Sequence, residues 1–458
     1  MESEPEKVGP AIALHETGSE LPVETPSSTN PVAEAGVVAG HGAESTLQFE
    51  PRRVSLAQGL ASLRYRDFRL YWGGQLVSLI GTWMQIVAQS WLVLELSNSP
   101  FILGVLSALQ FLPILLLSIL GGVVADRLPK RQLLLGTQAV SMFLAFVLAV
   151  LTQTGVVRII HVLILAVLTG VVNAFDMPTR QAFVAELVEP GDLQNAIALN
   201  SAAFNGARLV GPAVAGIAIG VIGLAGAFYI NGLSFLAALG GLGAMQAGRR
   251  PLCRGQEVGS VGEDLREGLA YVGHVRLVWL IVFLVAVVGT FGMNLAVLVP
   301  VLARDALGLN ATGFGFLAAA SGFGSLVAAI LLALLRRTPG FWALLVAAAL
   351  LGLLEVALAP VRQFFLAAVF LGAIGFVMVF FTTLANIILQ MTTPDALRGR
   401  VMSVYATVFA GTTPLGSLFA GGLAQAEGVG FPFALGGLIS VGAALVGLAL
   451  GPHSRQAV

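Results

Sequence analysis

Long apolar stretches, each close to the length that a helix needs to cross a bilayer, dominate this sequence from residue 69 onwards. Only 10% of the 458 residues are charged, and the mean hydropathy is +0.90. Soluble domains carry about 25% charged residues, so these few charges exclude a soluble globular protein. An outer-membrane barrel is also excluded, because its strands alternate between apolar and polar residues. We therefore expect an all-α membrane protein.

Charged, proline-containing and glycine-containing breaks divide the apolar stretches into twelve predicted transmembrane helices. The predicted spans are 69–95, 101–125, 132–153, 158–177, 194–221, 225–247, 277–302, 312–335, 341–360, 364–389, 400–424 and 431–450. The predicted domains are an acidic, disordered tail (1–53), a six-helix bundle (54–247), a central loop (248–276), a second six-helix bundle (277–452) and a short tail (453–458).

The basic residues predict the orientation of these spans. With the N-terminus inside the cell, only Arg158, Arg304 and Arg362 of the 24 basic residues fall on the outer side, and Arg208 lies within a span. The two terminal tails and the central loop are therefore expected in the cytoplasm. The acidic tail and its prolines form no apolar core, which is typical of disorder.

The two halves of the chain share features that recur about 200 residues apart. Pro190 precedes span 5, which contains Gly211-Pro212, and Pro394 precedes span 11, which contains Thr413-Pro414. Two matching bundles with a cavity between them are typical of an alternating-access transporter. A facilitator-type uptake carrier, and a membrane sensor or scaffold that does not transport, remain as alternatives.

The loop between spans 2 and 3 reads GGVVADRLPKR over residues 121–131. It resembles the signature loop of the major facilitator superfamily, although Pro129 replaces a glycine that is common there. A carboxylate here can meet the positive N-terminal end of a helix from the other half, and so close the cytoplasmic side. We expect Gly122 to permit close helix packing. The corresponding stretch of the second half, Leu334–Arg337, contains no acidic residue.

Further motifs resemble one branch of this superfamily, which contains the enterobactin exporter and macrolide efflux relatives. They are DMPTRQA at 176–182, LQNAIALNS at 193–201, ARLVGPAVAG at 207–216 and LRGRVMS at 397–403. The resemblance covers about residues 55–450 and implies a twelve-helix fold and an inner-membrane efflux carrier that exchanges a siderophore-like or drug-like molecule for protons. The expected gate residues on the cytoplasmic side are Gly122, Asp126, Arg127, Lys130, Arg131, Asp176, Arg180, Arg398 and Arg400.

Span 5 contains a proline between glycines, at Gly211, Pro212 and Gly216, which resembles a feature of facilitator antiporters. A proline within a helix bends it and leaves a carbonyl group without its usual donor. We expect a kinked helix that packs tightly between the halves and limits proton leakage. Routine helix packing is the alternative, since glycine and proline are common in membrane helices.

Polar and charged groups within spans are candidates for substrate binding and proton coupling, because they are costly in hydrocarbon. Arg208 and Glu355 are the ionisable candidates, in spans 5 and 9. Five polar residues of span 1 are spaced three or four apart and form one stripe, which must face protein or water. The stripe, which we expect to line the cavity, consists of Gln75, Ser78, Thr82, Gln85 and Gln89.

The sequence contains no motif for ATP hydrolysis, for a catalytic triad or for a zinc site, so we expect neither an enzyme nor a cofactor. A single cysteine, Cys253, excludes a disulfide framework. The expected partners are a small-molecule substrate, protons and the lipid bilayer, with no nucleic acid, and we expect the protein to be a monomer.

Overall fold

A computed structural model describes residues 61–246, 261–335 and 339–451, apart from the side chains of residues 119 and 261–265. The predicted tails at 1–53 and 453–458 and Cys253 lie outside the described residues. So do Arg336 and Arg337, which belong to the second-half counterpart of the signature loop. Within the described ranges every regular element is helical.

We number the α-helices α1 to α13 in chain order. They are Arg66–Ser97, Pro100–Arg127, Lys130–Gln153, Ile159–Leu187, Leu193–Ala244, Val261–His274, Arg276–Phe291, Leu295–Val301, Ala311–Leu334, Phe341–Leu358, Phe364–Thr392, Asp395–Glu427 and Gly430–Leu450. Short helical turns add Ala61–Arg64, Pro190–Asp192 and Leu302–Ala306.

Ten helical segments of the described chain are long and apolar enough to cross a membrane. One of them, Pro190–Ala244, contains two predicted spans, 194–221 and 225–247. They are separated at Gly223, where α5 is interrupted by a φ of 74°, a left-handed conformation that favours glycine. The helix α12 coincides with predicted span 11 but is less apolar than the ten. The all-helical membrane fold is therefore confirmed, and the count of twelve rests on dividing α5 at Gly223 and including α12.

The helices form two bundles that correspond to the two halves of the chain. In the N-terminal bundle α1 packs on α5, α2 on α4, and α3 on α4 and α5. In the C-terminal bundle α9 packs on α11, α10 on α11 and α13, and α12 on α7. The bundles meet along two helix pairs, α2 with α12 and α5 with α9. Short connections make successive spans run in opposite directions.

Part of the predicted central loop is helical. The helix α6 lies within the stretch expected to be a loop and packs on α12. A Cβ added at Gly268 of α6 would lie 2.7 Å from the carbonyl oxygen of Arg400, so the two backbones approach closely. The stretch is too polar to span a membrane, but its charged and apolar residues alternate in the amphipathic pattern that indicates a surface helix.

The bundles contact each other closely at one end of the molecule, which we call the joined end. A Cβ added at Gly104 of α2 would lie 2.4 Å from the carbonyl oxygen of Ser417 in α12. Between described residues, two side-chain hydrogen bonds cross from one bundle to the other, both at this end. Arg304 Nη1 donates to the carbonyl oxygen of Leu94 at 2.8 Å, and Thr312 Oγ1 donates to that of Gly216 at 2.9 Å.

Large apolar side chains cover much of the outward surface of both bundles. Val221, Phe365 and Val369 are 78%, 82% and 68% exposed. An aqueous surface of this kind would aggregate, whereas lipid chains cover it at no cost. The exposed apolar surface therefore agrees with the membrane location that the helices indicate.

Candidate transport site

The polar stripe of α1 is bonded to the rest of the N-terminal bundle along its length. Gln75, Ser78 and Gln89 are buried, and Thr82 and Gln85 are half-buried. The partners are Arg180 for Gln75, Gln138 for Ser78, the Ser78 carbonyl for Thr82, Asn231 for Gln85 and Gln110 for Gln89. The stripe thus faces the interior of this bundle over most of its length, and only its middle is partly exposed.

A buried ion pair lies at the inner part of this stripe. Asp176 and Arg180, two of the predicted gate residues, are four residues apart on α4 and form an ion pair with each other. Asp176 also accepts hydrogen bonds from Thr137 Oγ1 at 2.6 Å and from Gln138 Nε2 at 2.9 Å, while Arg180 donates to Gln75. Because these partners satisfy both charges, the pair offers no free charge to a ligand in this conformation.

The predicted end of span 4 is wrong, and the error changes where this pair lies. We ended the span before Pro178, but α4 continues to Leu187, so Asp176 and Arg180 lie well inside the helix. Thr137 and Gln138 were not predicted as site residues. Two adjacent polar residues within an otherwise apolar span are the signal that would have identified them.

We call the opposite end of the molecule, where the loop between α2 and α3 lies, the charged end. Asp126 and Arg127 are the last two residues of α2 and are exposed, and neither forms an ion pair or a hydrogen bond with another described side chain. The structure therefore brings Asp126 to the predicted end of the molecule but not into contact with a partner from the other bundle.

The other predicted gate cations at the charged end are all bound within their own bundle. Lys130 pairs with Glu186 at 2.7 Å, Arg131 donates to the carbonyls of Leu242 and Gly243 at 2.7 and 2.8 Å, Arg398 pairs with Asp395 at 2.5 Å, and Arg400 pairs with Glu267. These contacts of the four cations therefore do not join the halves.

Gly121, rather than Gly122, is where α2 approaches another helix closely. A Cβ at Gly121 would lie 2.1 Å from the carbonyl oxygen of Ala174 in α4, whereas one at Gly122 would meet nothing within 4 Å. Ala174 precedes Pro178 by four residues, so its carbonyl lacks the usual helical donor. The packing role that we expected of Gly122 is therefore filled by Gly121.

Arg208 lies in the middle of the first part of α5 and has no carboxylate partner among the described residues. Its guanidinium group lies over the ring of Trp83 in α1, 5.7 Å from the ring centroid. Trp83 in turn makes an edge-to-face contact with Phe204, with centroids 5.6 Å apart. Neither aromatic residue was predicted, although Phe204 precedes Arg208 by one helical turn.

The contact with Trp83 offsets only part of the cost of this charge. Placing an arginine at the centre of a membrane helix costs about 2.5–3.5 kcal/mol even on the lowest scales. A cation–π contact contributes about 0.5–2 kcal/mol. Arg208 therefore keeps an uncompensated charge in this conformation, which favours contact with water or with a ligand.

The proline of α5 links Arg208 to the other bundle through the backbone. Pro212 has no N–H group, so the carbonyl of Arg208 lacks its usual donor. The C-terminal bundle approaches this carbonyl at Gly322 of α9, where a Cβ would lie 2.5 Å from the oxygen. Gly211 lies equally close to Trp83, and Gly216 lies close to Thr312 of α9. All three predicted positions of this motif thus lie at close helix contacts.

Glu355 is buried in the C-terminal bundle, with 2% of its surface exposed. Its Oε2 atom has no hydrogen-bond partner. A Cβ added at Gly292 would lie 3.4 Å from this oxygen and 2.7 Å from Ser440 Oγ, so the carboxyl group and the Ser440 hydroxyl both lie close to Gly292. Gly292 marks the break between α7 and α8, which the sequence did not predict. Glu355 therefore lies inside one bundle and not on a surface between the two.

No group of three or more His, Cys, Asp and Glu side chains within the described ranges is placed to hold a metal ion. The chemistry of the described site is therefore that of hydrogen bonds, aromatic faces and two isolated ionisable groups, Arg208 and Glu355.

Comparison with known proteins agrees with this geometry. Residues 57–455 match the family described as transmembrane secretion effectors. The multidrug efflux pump Tap of Mycolicibacterium fortuitum is 27% identical over 76% of this chain and 87% of its own length. The staphyloferrin A transporter of Staphylococcus aureus is 30% identical, over 33% of this chain and 39% of its own length. Macrolide efflux protein A of Streptococcus pyogenes is 22% identical over 84% of this chain and 96% of its own length.

Solved structures share the fold at low sequence identity. The nucleoside transporter NupG superposes with a TM-score of 0.67 at 13% identity, covering 86% of this chain and all of that chain. A bacterial homologue of the human lysosomal transporter Spinster, in an inward-facing and unoccupied conformation, superposes with a TM-score of 0.62 at 15% identity. The match covers 84% of this chain and 95% of that chain.

Proposed function

This chain belongs to the transmembrane secretion effector family of the major facilitator superfamily, and we propose that it exports a small organic molecule by alternating access. The observation that carries the proposal is the asymmetric contact between the bundles. Glycine contacts and two hydrogen bonds connect them at the joined end, while the ion pairs described at the charged end lie within one half each. A carrier closed at one end only is one state of such a cycle.

We propose that the charged end faces the cytoplasm and that the protein lies in the cell inner membrane with both termini inside. The basic residues concentrated at that end support this orientation. In this orientation the described conformation receives substrate from the cytoplasm. Relatives named as drug, macrolide and siderophore carriers support export of a drug-like or siderophore-like molecule.

We propose that Asp126 closes the charged end in the opposite conformation. Its exposed carboxylate has no ion-pair partner among the described residues, whereas its neighbours Lys130 and Arg131 are already bound within the N-terminal bundle. When the bundles approach at this end, the N-terminal end of a helix from the other half would attract the carboxylate. Of the predicted gate cations, Arg127 follows Asp126 on α2, Arg180 is held by Asp176 in this conformation, and Arg398 and Arg400 belong to the other half.

We propose that Glu355 carries the coupled proton. Buried charge without a partner is expensive, so a proton on this carboxyl group is favoured whenever water cannot reach it. The break between α7 and α8 lies beside it, and α8 leads to Arg304, which bonds to α1 at the joined end. Loss of the proton beside this break would therefore favour a rearrangement of the segment that holds the joined end together.

Inside-out membrane vesicles test the function directly. Acidification of the vesicle interior should drive accumulation of a carboxylate siderophore, and collapse of the pH gradient should abolish it. Glu355→Gln should abolish the pH-driven accumulation but preserve exchange of labelled for unlabelled substrate. Glu427→Gln, which makes the same change at an exposed position at the end of α12, serves as the matched control.

Each alternative gives a different result in the same assay. An uptake carrier would accumulate substrate in right-side-out vesicles with an acidic exterior. A sensor or scaffold would move none of the compounds in either type of vesicle. Equal pH-driven accumulation by the wild type and Glu355→Gln would show that another group carries the proton.

A further inference from the structure

The face of α5 that carries Arg208 differs from the rest of this helix. Ile197, Ser201 and Phe204 precede Arg208 by eleven, seven and four residues, so all four lie on one face. Ile197 and Phe204 are 54% and 44% exposed, and Ser201 is also exposed. Protein therefore leaves this face largely uncovered up to the middle of the helix.

The opposite face of the same helix has the character expected of a lipid contact. Val210, Ile217 and Val221 are exposed there and purely apolar. The face with Ser201 and Arg208 instead combines a hydroxyl, a cation and the aromatic rings of Phe204 and Trp83. A membrane helix directs its polar groups towards protein or water, so the Arg208 face lines the aqueous side of the molecule.

The shape of the Arg208 site is set by its neighbours. Trp83 stands under the guanidinium group, and Phe204 meets the edge of the same ring system. The backbone is held on both sides, by Gly211 against α1 and by Gly322 of α9 against the Arg208 carbonyl. The cation therefore projects from a fixed turn at the contact between the two bundles, next to a flat apolar surface.

We propose that Arg208, Trp83 and Phe204 bind the anionic group and the adjoining flat apolar body of an amphipathic organic anion. The inference deepens the proposed transport function and rests on it. A guanidinium group presents two parallel donors that match a carboxylate or sulfonate. No described carboxylate neutralises Arg208, so an anion completes the charge balance of the site and a cationic compound is repelled from it.

A soluble anion fits this position better than a lipid headgroup. Arg208 is fifteen residues after the first residue of α5, Leu193, and so lies near the middle of the first part of the helix, away from both interfaces. Headgroups lie at the interfaces. Measurements in nanodiscs made only of zwitterionic phosphatidylcholine remove anionic headgroups as competitors, and the addition of phosphatidylglycerol then tests for them.

Calorimetric titration of the full chain in such nanodiscs tests the proposal with three probes of one shape. The probes are naphthalene-2-sulfonate, its neutral sulfonamide and 2-naphthyl-trimethylammonium. The wild type should bind the sulfonate most tightly. Arg208→Gln should weaken sulfonate binding about 10- to 100-fold, the usual loss for a hydrogen bond to a charged group, and leave the sulfonamide little changed. Arg208→Lys, which keeps the charge but not the paired donors, should fall between.

Two controls separate recognition from folding. Arg158→Gln removes the same charge at an exposed position before α4 and should bind all three probes as the wild type does. Trp83→Leu should weaken all three probes alike, because the flat surface serves the common naphthalene body. Melting temperatures without ligand show whether each variant folds. If one of the two variants at position 208 is unstable, the sulfonate affinity of the other, relative to the wild type, decides.

Several outcomes would overturn the inference. These are equal affinity of the wild type for the three probes, unchanged sulfonate affinity in Arg208→Gln, and loss of sulfonate binding when phosphatidylglycerol is added. Vesicle transport of a neutral or cationic drug without any Arg208-dependent anion binding would refute this site and leave the proposed function intact. Anion binding that depends on Arg208, without transport of any compound, would refute the proposed function and leave the site.

Discussion

The glycine contact between α2 and α12 offers the most direct test of how the joined end closes. At Gly104 an added methyl group would lie 2.4 Å from the carbonyl oxygen of Ser417. Real Cβ atoms do not approach a backbone oxygen so closely, and a backbone cannot rotate away as a side chain does. Gly104→Ala must therefore push the two helices apart at this point.

The size of the effect follows from the usual cost of overpacking. One extra methyl group in a tightly packed contact costs about 1–3 kcal/mol. The strain exists only while the joined end is closed, so it shifts the equilibrium towards the conformation that is open there, by about 5–150-fold. Alanine also favours a helix over glycine by up to about 1 kcal/mol, but equally in both conformations.

Labelling of one cysteine measures this shift. In a Cys253→Ser background, Ser417→Cys places a thiol where the native side chain is 2% exposed. An impermeant maleimide should modify it slowly in otherwise native protein and about 5–150-fold faster when Gly104→Ala is added. Gly240→Ala, where an added Cβ meets nothing within 4 Å, should leave the rate unchanged. An unchanged rate in well-folded Gly104→Ala would show that this contact does not close the joined end.

Three further predictions concern the charged end and the N-terminal bundle. Asp126→Asn should slow export and lower the yield of cysteine crosslinks between the inner ends of α2 and α12, because it removes an attraction made only when the charged end closes. Crosslinking and transport equal to those of the wild type would show that Asp126 has no gate role. Maleimide should label Cys253 in inside-out vesicles and not in intact spheroplasts, and the reverse result would invert the orientation. Arg180→Gln should cost about 3 kcal/mol of stability by stranding the buried Asp176 carboxylate, and adding Asp176→Asn should raise the melting temperature again; two additive losses would contradict this pairing.

The spans of this fold were predictable because a membrane imposes a length on every helix that crosses it. The predicted and observed limits of span 3, 132–153 and Lys130–Gln153, differ by two residues. The largest error, at span 4, came from treating Pro178 as a stop. In the structure Gly121 packs against the carbonyl that this proline leaves free, so packing with another helix compensates for the lost hydrogen bond.

The site was less predictable, because sequence spacing gives the face of a helix and not its neighbours. The period of the α1 stripe correctly placed its five residues together, yet four of them have partners on four other helices of the chain. Arg208 and Glu355 were found by their charge alone. Trp83, by contrast, lies 125 positions from Arg208 in the sequence, and only the packing of α1 on α5 brings them together.

The two ends of the molecule hold the bundles together by interactions of different range. At the joined end, backbones meet at glycines, and such short-range contacts are lost as soon as the helices separate slightly. At the charged end the ion pairs remain within each bundle, so the bundles can separate or approach there without breaking them. Under the proposed cycle, Asp126 acts over a longer distance when the charged end closes. If Glu355 carries the proton and Arg208 binds an anion as we propose, small differences in free energy from either event are sufficient to select which end is closed.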